Sequence, residues 1–317
     1  MERLKLTYRP KISIMNDLNL SFAELIMWDY RGLAALTAVV EEGNFERAAA
    51  ALFISQPAVS HRLRALEQWA GELLVIRSQP PQATIRGQQL IAHFRQVQLL
   101  EFGMEARSQT HTPMPRLAIA VNADSAATWL LDALAPLLNP PMCLIDLRID
   151  DQDETLRHLR EGQVFGCITS SGDVVAGTTV EVLGNMIYLC VATPAFMQHW
   201  FPDGVTASRI AVAPALVYNR SDRLHDRYLR QAGLPPDVPK NFFPSAEGFV
   251  SFIKAGYGYG IVPAIQVRRE LEVGTLVELT PREVLSLPLY WHQWNIQTSL
   301  TRALNTAIVD AAQRWLV

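Results

Sequence analysis

Residues 44–68, NFERAAAALFISQPAVSHRLRALEQ, decide the fold of the N-terminal part of this chain. Their pattern predicts two helices joined by a turn. Asn44 and Ser55 are residue types that cap helix N-termini, and Pro57 falls in the first turn of the second helix, where a missing N–H is tolerated. An apolar stripe recurs at helical spacing on the second helix, and we expect it to face a core. It consists of Val59, Leu63, Leu66 and Ala70.

The opposite face of the second helix is polar. It carries Pro57, Ser60, His61, Arg64 and Gln68. Hydroxyl, imidazole and guanidinium groups can all hydrogen-bond to base edges or phosphates in a DNA major groove. The plainer alternative is an ordinary amphipathic surface helix. The predicted DNA-contacting residues are Gln56, Pro57, Ser60, His61, Arg62, Arg64 and Arg77.

The flanking segments complete a small domain. Residues 31–42 predict a preceding helix whose Leu33, Leu36, Val39 and Val40 point inward. Gly71 ends the polar-faced helix. Residues 73–76 and 82–84 then pair across two prolines as a hairpin wing.

These residues resemble the winged helix-turn-helix of LysR-type transcriptional regulators. The resemblance rests on EEGNFERAAAALFISQPAVSHRLRALE (residues 41–67), LLVIR (73–77) and a Thr-x-x-Gly at Thr84 and Gly87. Four later segments are similar to the ArgP/LysG-like subgroup, which regulates export of basic amino acids. They are AVNADSAATWLLDALAP (120–136), HWFPDGVT (199–206), SAEGFV (245–250) and LYWHQW (289–294).

The resemblance runs from about residue 28 to the end and implies a complete architecture. An N-terminal all-α winged helix-turn-helix and a long linker helix precede a C-terminal α/β effector domain with two subdomains, like type 2 periplasmic binding proteins. The implied partners are double-stranded promoter DNA, a small amino acid effector (lysine or arginine), RNA polymerase, and further copies of the chain in a homodimer or homotetramer.

Length and charge set bounds on this interpretation. A chain of 317 residues predicts roughly two domains, and 49% apolar residues suffice for sizeable cores. The net charge of −3 argues against a protein that coats nucleic acid non-specifically. Within residues 28–108, eight arginines offset eight acids. DNA affinity must then depend on local clustering of Arg62, Arg64, Arg77 and Arg86 and on dimerisation.

The N-terminal segment, residues 1–26, departs from the family pattern. Met27 sits where a family member would start, so we expect a misassigned upstream start; a disordered extension is the alternative. A minor-groove arm using Arg3, Lys5, Arg9 and Lys11 is a third, less favoured interpretation. The segment lacks the apolar run of a signal peptide, and no stretch approaches the ~20 apolar residues of a membrane span. We therefore expect a cytoplasmic protein without membrane contact.

A long helix is predicted from Thr84 to Ser108. Its apolar stripe comprises Leu90, Phe94, Val97 and Met104, flanked by Ile91 and Phe102. We interpret it as a dimerising linker; packing onto the chain's own body is the alternative. The expected boundaries are 27–84 for the DNA-binding domain, 85–108 for the linker, 109–115 for a hinge, and 116–317 for the effector domain. Within the last, subdomain I covers about 116–184 and 265–317, and subdomain II about 185–264.

Strands alternate with helices in the effector domain, which predicts parallel sheets. Expected strands are 117–121, 143–149, 165–169, 187–192, 215–218, 261–262 and 289–294, and expected helices include 125–138, 154–161 and one at the C-terminus. Ligands of such sheets bind beyond the carboxyl ends of strands. The predicted effector-binding residues are Asn122, Asp124, Ser125, Trp129, Asp150, Thr169, Ser245 and Glu247.

Each of these residues also has an ordinary structural explanation. Asp, Asn and Ser after strands commonly cap helices, and tryptophans such as Trp129 and Trp291 commonly fill cores. Tyr218, Asn219 and Ser170 also follow strands. An amino acid needs donors for its carboxylate and acceptors for its ammonium group. The cluster therefore predicts an amino-acid-sized cleft without identifying the ligand.

Enzyme and metal functions are disfavoured. The sequence has no G-x-S-x-G, H-E-x-x-H or G-x-x-x-x-G-K-[ST] motif, and the glycines of GYGYG follow a helix instead of opening one. Cys143, Cys167 and Cys190 lie in apolar stretches without metal-ligand spacing, so buried thiols are expected and no cofactor is predicted. The alternative function is a cytosolic solute-binding protein without sequence-specific DNA binding.

Overall fold

The computed structural model describes residues 29–105, 114–150, 152–281 and 283–317. The chain divides into two compact units, Met1–Phe94 and Arg95–Val317. The predictions for residues 1–26 and for most of the 109–115 hinge lie outside the described residues. Among the helices that are described, none is both long enough and apolar enough to cross a membrane.

Three helices form the body of the first unit: α1 (Tyr30–Glu42), α2 (Phe45–Ala51) and α3 (Gln56–Ala70). The predicted caps are confirmed. The Asn44 side chain accepts from the backbone N–H of Glu46 at 2.7 Å, and the Ser55 side chain accepts from Ala58. Gly71 ends α3 in the left-handed conformation, with φ at 75°. The core contains Leu33, Leu36, Val39, Ala48, Val59, Leu63 and Leu66.

The predicted wing is confirmed as an antiparallel hairpin of β1 (Val75–Ile76) and β2 (Gln82–Ala83). Thr84 ties the hairpin to the next helix: its hydroxyl donates to Leu73 O at 3.0 Å and accepts from Gly87 N–H at 3.1 Å. The Thr-x-x-Gly pattern is thus a helix start that also holds the wing. The unit is a winged helix-turn-helix.

Helix α4 (Ile85–Glu105) follows the wing. Leu90, Ile91 and Phe94 are buried in the core of the first unit, while Leu99 and Phe102 belong to the core of the second. Leu90 and Phe94 of the predicted stripe, with the flanking Ile91 and Phe102, are therefore used for packing within the chain, so the stripe as a whole is not a free dimer seam. Leu100 remains 47% exposed. The side chain of Met104 lies outside the described part of the chain.

The second unit is built on one mixed sheet. Its strands are β3 (Arg116–Val121), β4 (Leu144–Ile149), β5 (Gly166–Thr169), β6 (Thr178–Ala192), β7 (Ala215–Val217), β8 (Lys240–Phe242), β9 (Tyr259–Pro263), β10 (Val277–Glu278) and β11 (Leu285–Trp294). The order is β4-β3-β5-β11-β6-β9-β7-β8, and β10 also pairs with β6. Strands β4, β3 and β5 form one parallel group, and β9, β7 and β8 form another. Between them, β6 and β11 pair as an antiparallel ribbon that joins the two halves.

Helices cover this sheet: α5 (Ala123–Ala127), α6 (Leu130–Leu138), α7 (Gln152–Arg160), α8 (Pro194–Trp200), α9 (Ala207–Ile210), α10 (Leu224–Gln231), α11 (Ala246–Lys254), α12 (Ala264–Glu272) and α13 (Ser299–Trp315). The single helix predicted over 125–138 is wrong, because it is divided between α5 and α6. The Thr128 hydroxyl donates to Asp124 O at 2.6 Å, and the Thr128 N–H bonds only three residues back, to Ser125 O. The competing side-chain bond ends the first helix there.

Two expectations for the second half also need correction. The strand predicted over 187–192 is the end of the much longer β6, whose first part pairs with β11 along its length. Residues 265–278, which we expect in subdomain I, pack instead with the second half. Val267 and Leu276 share a core cluster with Ile253 and Val262, and β10 pairs with the end of β6. The first subdomain therefore resumes near β11.

Candidate functional site

The polar face of α3 lies on the surface of the first unit, as its periodicity predicts. Gln56, Pro57, His61, Arg64 and Gln68 are exposed, whereas Ser60 and Arg62 are half-buried. Gln56 Nε2 donates to Ser60 Oγ at 3.2 Å, so the start of the helix presents two linked polar side chains. Arg77 is exposed on the wing directly after β1.

This surface has the chemistry of a major-groove reader. Glutamine, serine, histidine and arginine offer both donors and acceptors to base edges, and arginine also binds phosphate. The stripe on the other side of α3 is fully used in the core, with Val59 and Leu63 buried. The helix is therefore held firmly while its polar face remains available.

A second candidate site is a cavity of about 370 Å³ in the second unit, lined by both halves of the sheet. From the first half come Asn122, Ala123, Asp124, Asp150 and Ser170, and from the β6–β11 ribbon come Tyr188 and Leu287. The second half contributes Tyr218, Ser221, Asp222, Arg223, Leu224, Arg227, Ala246, Phe249, Ile261, Val262, Pro263 and Gln266. Its size is within the ordinary range for small-molecule sites.

Asp124 is an acid of this cleft with a raised pKa. Burial raises the pKa of Asp124 to about 6, the hydrogen bond from Tyr188 lowers it, and nearby Asp222 raises it. Tyr188 Oη donates to Asp124 Oδ2 at 2.7 Å, and burial together with this carboxylate raises the pKa of Tyr188 well above its ordinary value. A partly dehydrated carboxylate gains from a cation, so Asp124 favours a positively charged ligand group.

Two neighbouring residues of the first half are fixed by local structure. Asn122 caps α5 through its side chain, which accepts from the Ser125 N–H at 3.3 Å. Asp150 follows β4, and its Oδ2 lies 3.1 Å from His158 Nε2 on α7. Both side chains therefore line the cleft in held positions.

The charges of the cleft are of both signs. Asp124, Asp150 and Asp222 supply carboxylates, while Arg223 and Arg227 supply guanidinium groups from the start of α10. Guanidinium groups match a ligand carboxylate, and carboxylates match ammonium or guanidinium groups. The arrangement suits a small zwitterion that carries additional positive charge.

The structure does not bring all predicted effector residues into the cleft. Of that set, Asn122, Asp124 and Asp150 line it. Ser125, Trp129 and Thr169 are fully buried beneath the surface, and Trp129 fills the core as its plainer explanation proposed. Ser245 caps α11 by accepting from Gly248 N–H at 3.1 Å, and Glu247 is exposed. Neither of these two lines the cavity.

Sequence reasoning missed most of the second half of the cleft, including Ser221, Asp222, Arg223, Arg227 and Gln266. The segment SDRLHDR, residues 221–227, resembles any polar surface helix in isolation. One usable signal was its position after β7, since ligands meet parallel sheets beyond strand ends.

The cysteines are buried thiols, as predicted. Burial raises the pKa of the Cys167 thiol to about 12. Within the described part of the chain, no cluster of histidine, cysteine and acidic side chains is arranged to hold a metal ion.

Comparison with known proteins supports the same division of the chain. Residues 30–88 match the bacterial regulatory helix-turn-helix proteins of the lysR family, and residues 110–313 match the LysR substrate binding domain. The HTH-type transcriptional regulator ArgP of Aeromonas salmonicida is 43% identical over 293 residues, which cover 91% of this chain and 98% of that protein.

Solved structures of similar proteins agree with these family matches. ArgP from Mycobacterium tuberculosis is similar with a TM-score of 0.81 and 38% identity, covering 92% of this chain and 99% of that one. Full-length LysG from Corynebacterium glutamicum with bound effector Arg has a TM-score of 0.71 and 34% identity, covering 91% of this chain and 99% of that one. The two family matches and the relatives agree with the polar-faced helix, the wing and the two-halved cleft of the structure. This chain belongs to the LysR family of DNA-binding transcriptional regulators, which carry an effector-binding domain and are not enzymes.

Proposed function

We propose that this regulator senses a basic amino acid, lysine or arginine, and controls transcription of genes for amino acid transport or export. The observation that carries the proposal is the charge pattern of the cleft. Two guanidinium groups and three carboxylates line one cavity of about 370 Å³.

The proposed roles follow from charge complementarity. Arg223 and Arg227 hold the ligand carboxylate, because guanidinium groups form paired hydrogen bonds with carboxylates. Asp124, Asp150 and Asp222 hold the α-ammonium group and the cationic end of the side chain. A neutral amino acid leaves one of these acids without a cationic partner; at Asp124, whose charged form burial disfavours, this weakens its binding. The bound arginine of the relative LysG supports a basic amino acid as the effector.

In the DNA-binding unit, the proposed contacts to promoter DNA come from Gln56, Pro57, Ser60, His61, Arg62 and Arg64 on α3, with Arg77 on the wing. We propose that the chain acts as a homodimer or homotetramer and engages RNA polymerase at the promoter. The effector acts through different affinities for two arrangements of the protein, since a ligand that binds both equally shifts nothing.

The test is binding of the purified full-length protein to its own upstream intergenic DNA at fixed salt, with and without lysine or arginine. Citrulline, which has arginine's shape without its side-chain charge, is the matched control ligand. We expect sequence-specific binding that changes with lysine or arginine and not with citrulline. Specific binding that no basic amino acid alters refutes the effector and leaves the regulator intact.

A further inference from the structure

His158 lies behind the effector cleft, on the side of Asp150 that α7 covers. Its Nε2 is 3.1 Å from Asp150 Oδ2, and its Nδ1 is 2.8 Å from Gln163 Oε1. Asp150 lines the cleft, whereas His158 and Gln163 do not. The imidazole therefore joins a wall residue of the cleft to the turn that follows α7.

The partners of Gln163 determine which of its atoms faces the imidazole. Gln163 Nε2 donates to Glu161 Oε2 at 2.6 Å, and Arg148 Nη1 donates to Gln163 Oε1. A carboxylate can only accept and a guanidinium can only donate, so the amide cannot be reversed. The atom that faces His158 Nδ1 is thus a carbonyl oxygen, which accepts.

Both ring nitrogens consequently face acceptors. Nδ1 meets an amide oxygen and Nε2 meets a carboxylate, so the two hydrogen bonds form together only when each nitrogen carries a hydrogen. That species is the imidazolium cation. In this arrangement the imidazolium neutralises the Asp150 carboxylate that lines the cleft.

Other charges surround this pair. On α7 and the turn after it, Arg157 forms ion pairs with Glu154 and Glu161. Arg148 comes from β4, and Arg95 Nη1 of α4 donates to the carbonyl of Gln163 at 3.2 Å. None of these described groups is among the residues that line the cleft. The change that occupancy brings is a ligand cation beside Asp150.

We propose that His158 is a positioning residue of the effector site, which carries a proton in the empty cleft and releases it to solvent when a cationic effector pairs with Asp150. Two cations on one carboxylate repel each other, so the bound ligand disfavours the imidazolium. The neutral ring then keeps one of its two hydrogen bonds, which loosens either Asp150 or the turn at Gln163. This inference rests on the proposed basic effector.

Titration calorimetry of arginine binding, repeated in buffers of different ionisation enthalpy near pH 6.5, counts the released protons. Asp124 contributes as well, because its pKa of about 6 falls when a cation binds. We therefore compare wild type with His158→Gln, which keeps a hydrogen-bond donor and cannot titrate, and with Asp124→Asn. We expect His158→Gln to release fewer protons than wild type, by as much as one per site, and Asp124→Asn to retain the His158 share.

A second measurement does not depend on any ligand. Ring-nitrogen chemical shifts of wild-type protein, with the His158 signal assigned by its loss in His158→Gln, distinguish the imidazolium from the neutral ring. A neutral His158 in the empty protein at pH 6.5, or equal proton release from wild type and His158→Gln, overturns the inference while the basic effector stands. Absence of lysine and arginine binding overturns the proposed effector, and this inference with it.

Discussion

Arg64 is an exposed guanidinium on the polar face of α3, opposite the buried Leu63 and Leu66. We expect Arg64→Ala to weaken operator binding by about 10–100-fold, because one good base contact is worth about 1–3 kcal/mol. Fluorescence anisotropy with labelled operator at fixed salt measures the change. Thermal unfolding and arginine affinity should stay as in wild type.

Arg302→Ala is the matched control for Arg64→Ala. Arg302 is also an exposed arginine, but it lies on α13 in the second unit. The Arg302→Ala substitution removes the same charge without changing α3, so operator affinity should stay as in wild type. Equal losses in the two variants would mean that net charge, and not a contact from α3, sets the affinity.

Asp124 combines an effector contact with a stability cost. Its folded pKa of about 6 lies above the ordinary 3.8, so the folded protein binds this proton more tightly than the unfolded chain does. Stability is therefore lost as pH rises from about 4 to 6, and the loss persists above that range. Asp124→Asn removes this penalty. We expect it to be more stable than wild type at pH 7.5, by roughly 2 kcal/mol, with no difference below pH about 4.

The same Asp124→Asn substitution should weaken arginine binding by about 10–100-fold, since a hydrogen bond to a charged group contributes about 1.5–3 kcal/mol. Chemical denaturation across pH and calorimetry with arginine are the two measurements. Glu247→Gln, an exposed acid outside the cavity, is the control and should change neither. Unchanged arginine affinity in Asp124→Asn would remove Asp124 from the site.

Gly87 determines how closely α4 approaches the wing. A Cβ at this position would lie 2.2 Å from the carbonyl oxygen of Leu74, an approach that backbone atoms cannot relieve locally. We expect Gly87→Ala to destabilise the first unit by about 1–3 kcal/mol, as overpacking does. Thermal unfolding monitored by circular dichroism gives the change.

Gly71→Ala separates crowding from backbone strain. Gly71 has φ at 75° but open space around its Cβ position, so an alanine there costs only the left-handed conformation, about 1 kcal/mol. A Gly87→Ala variant no less stable than Gly71→Ala would show that the wing can move away from α4.

At the scale of the whole molecule, association of two copies of the chain would bring two DNA-binding units to one operator. Leu100 on α4 is 47% exposed, whereas Leu90, Ile91, Phe94 and Leu99 of that helix are buried in the chain's own cores. We expect α4 to pair with its copy at Leu100, so Leu100→Glu should shift the protein toward monomer in sedimentation experiments. Operator affinity should fall about tenfold or more, because two linked DNA-binding units bind one site together.

Gln98→Glu introduces the same charge at an exposed position two residues away on α4. It should leave the oligomeric state unchanged, because neighbours two apart point in different directions on a helix. A Leu100→Glu protein that sediments like wild type places the dimer contact elsewhere.

The amino-acid sequence by itself determined the first unit almost completely. Helix caps at Asn44 and Ser55, the stop at Gly71 and the stripe of α3 each depend on residues a few positions apart, so local spacing was enough to predict them. The same spacing predicted which side of α3 is polar. Local spacing could not show that Leu90 and Phe94 would be buried in the chain's own core, because their burial depends on which surface α4 packs against.

Only the tertiary structure decided the effector cleft. Asp124 and Tyr188 are 64 positions apart and meet because β6 crosses from one half of the sheet to the other. Arg223 and Arg227 face the same cavity because α10 follows β7 in the second half. The order of the strands sets these distances, and the burial that it creates raises the pKa of Asp124. Local sequence contains neither the distances nor the burial, because a long-range contact depends on all the segments packed between its partners.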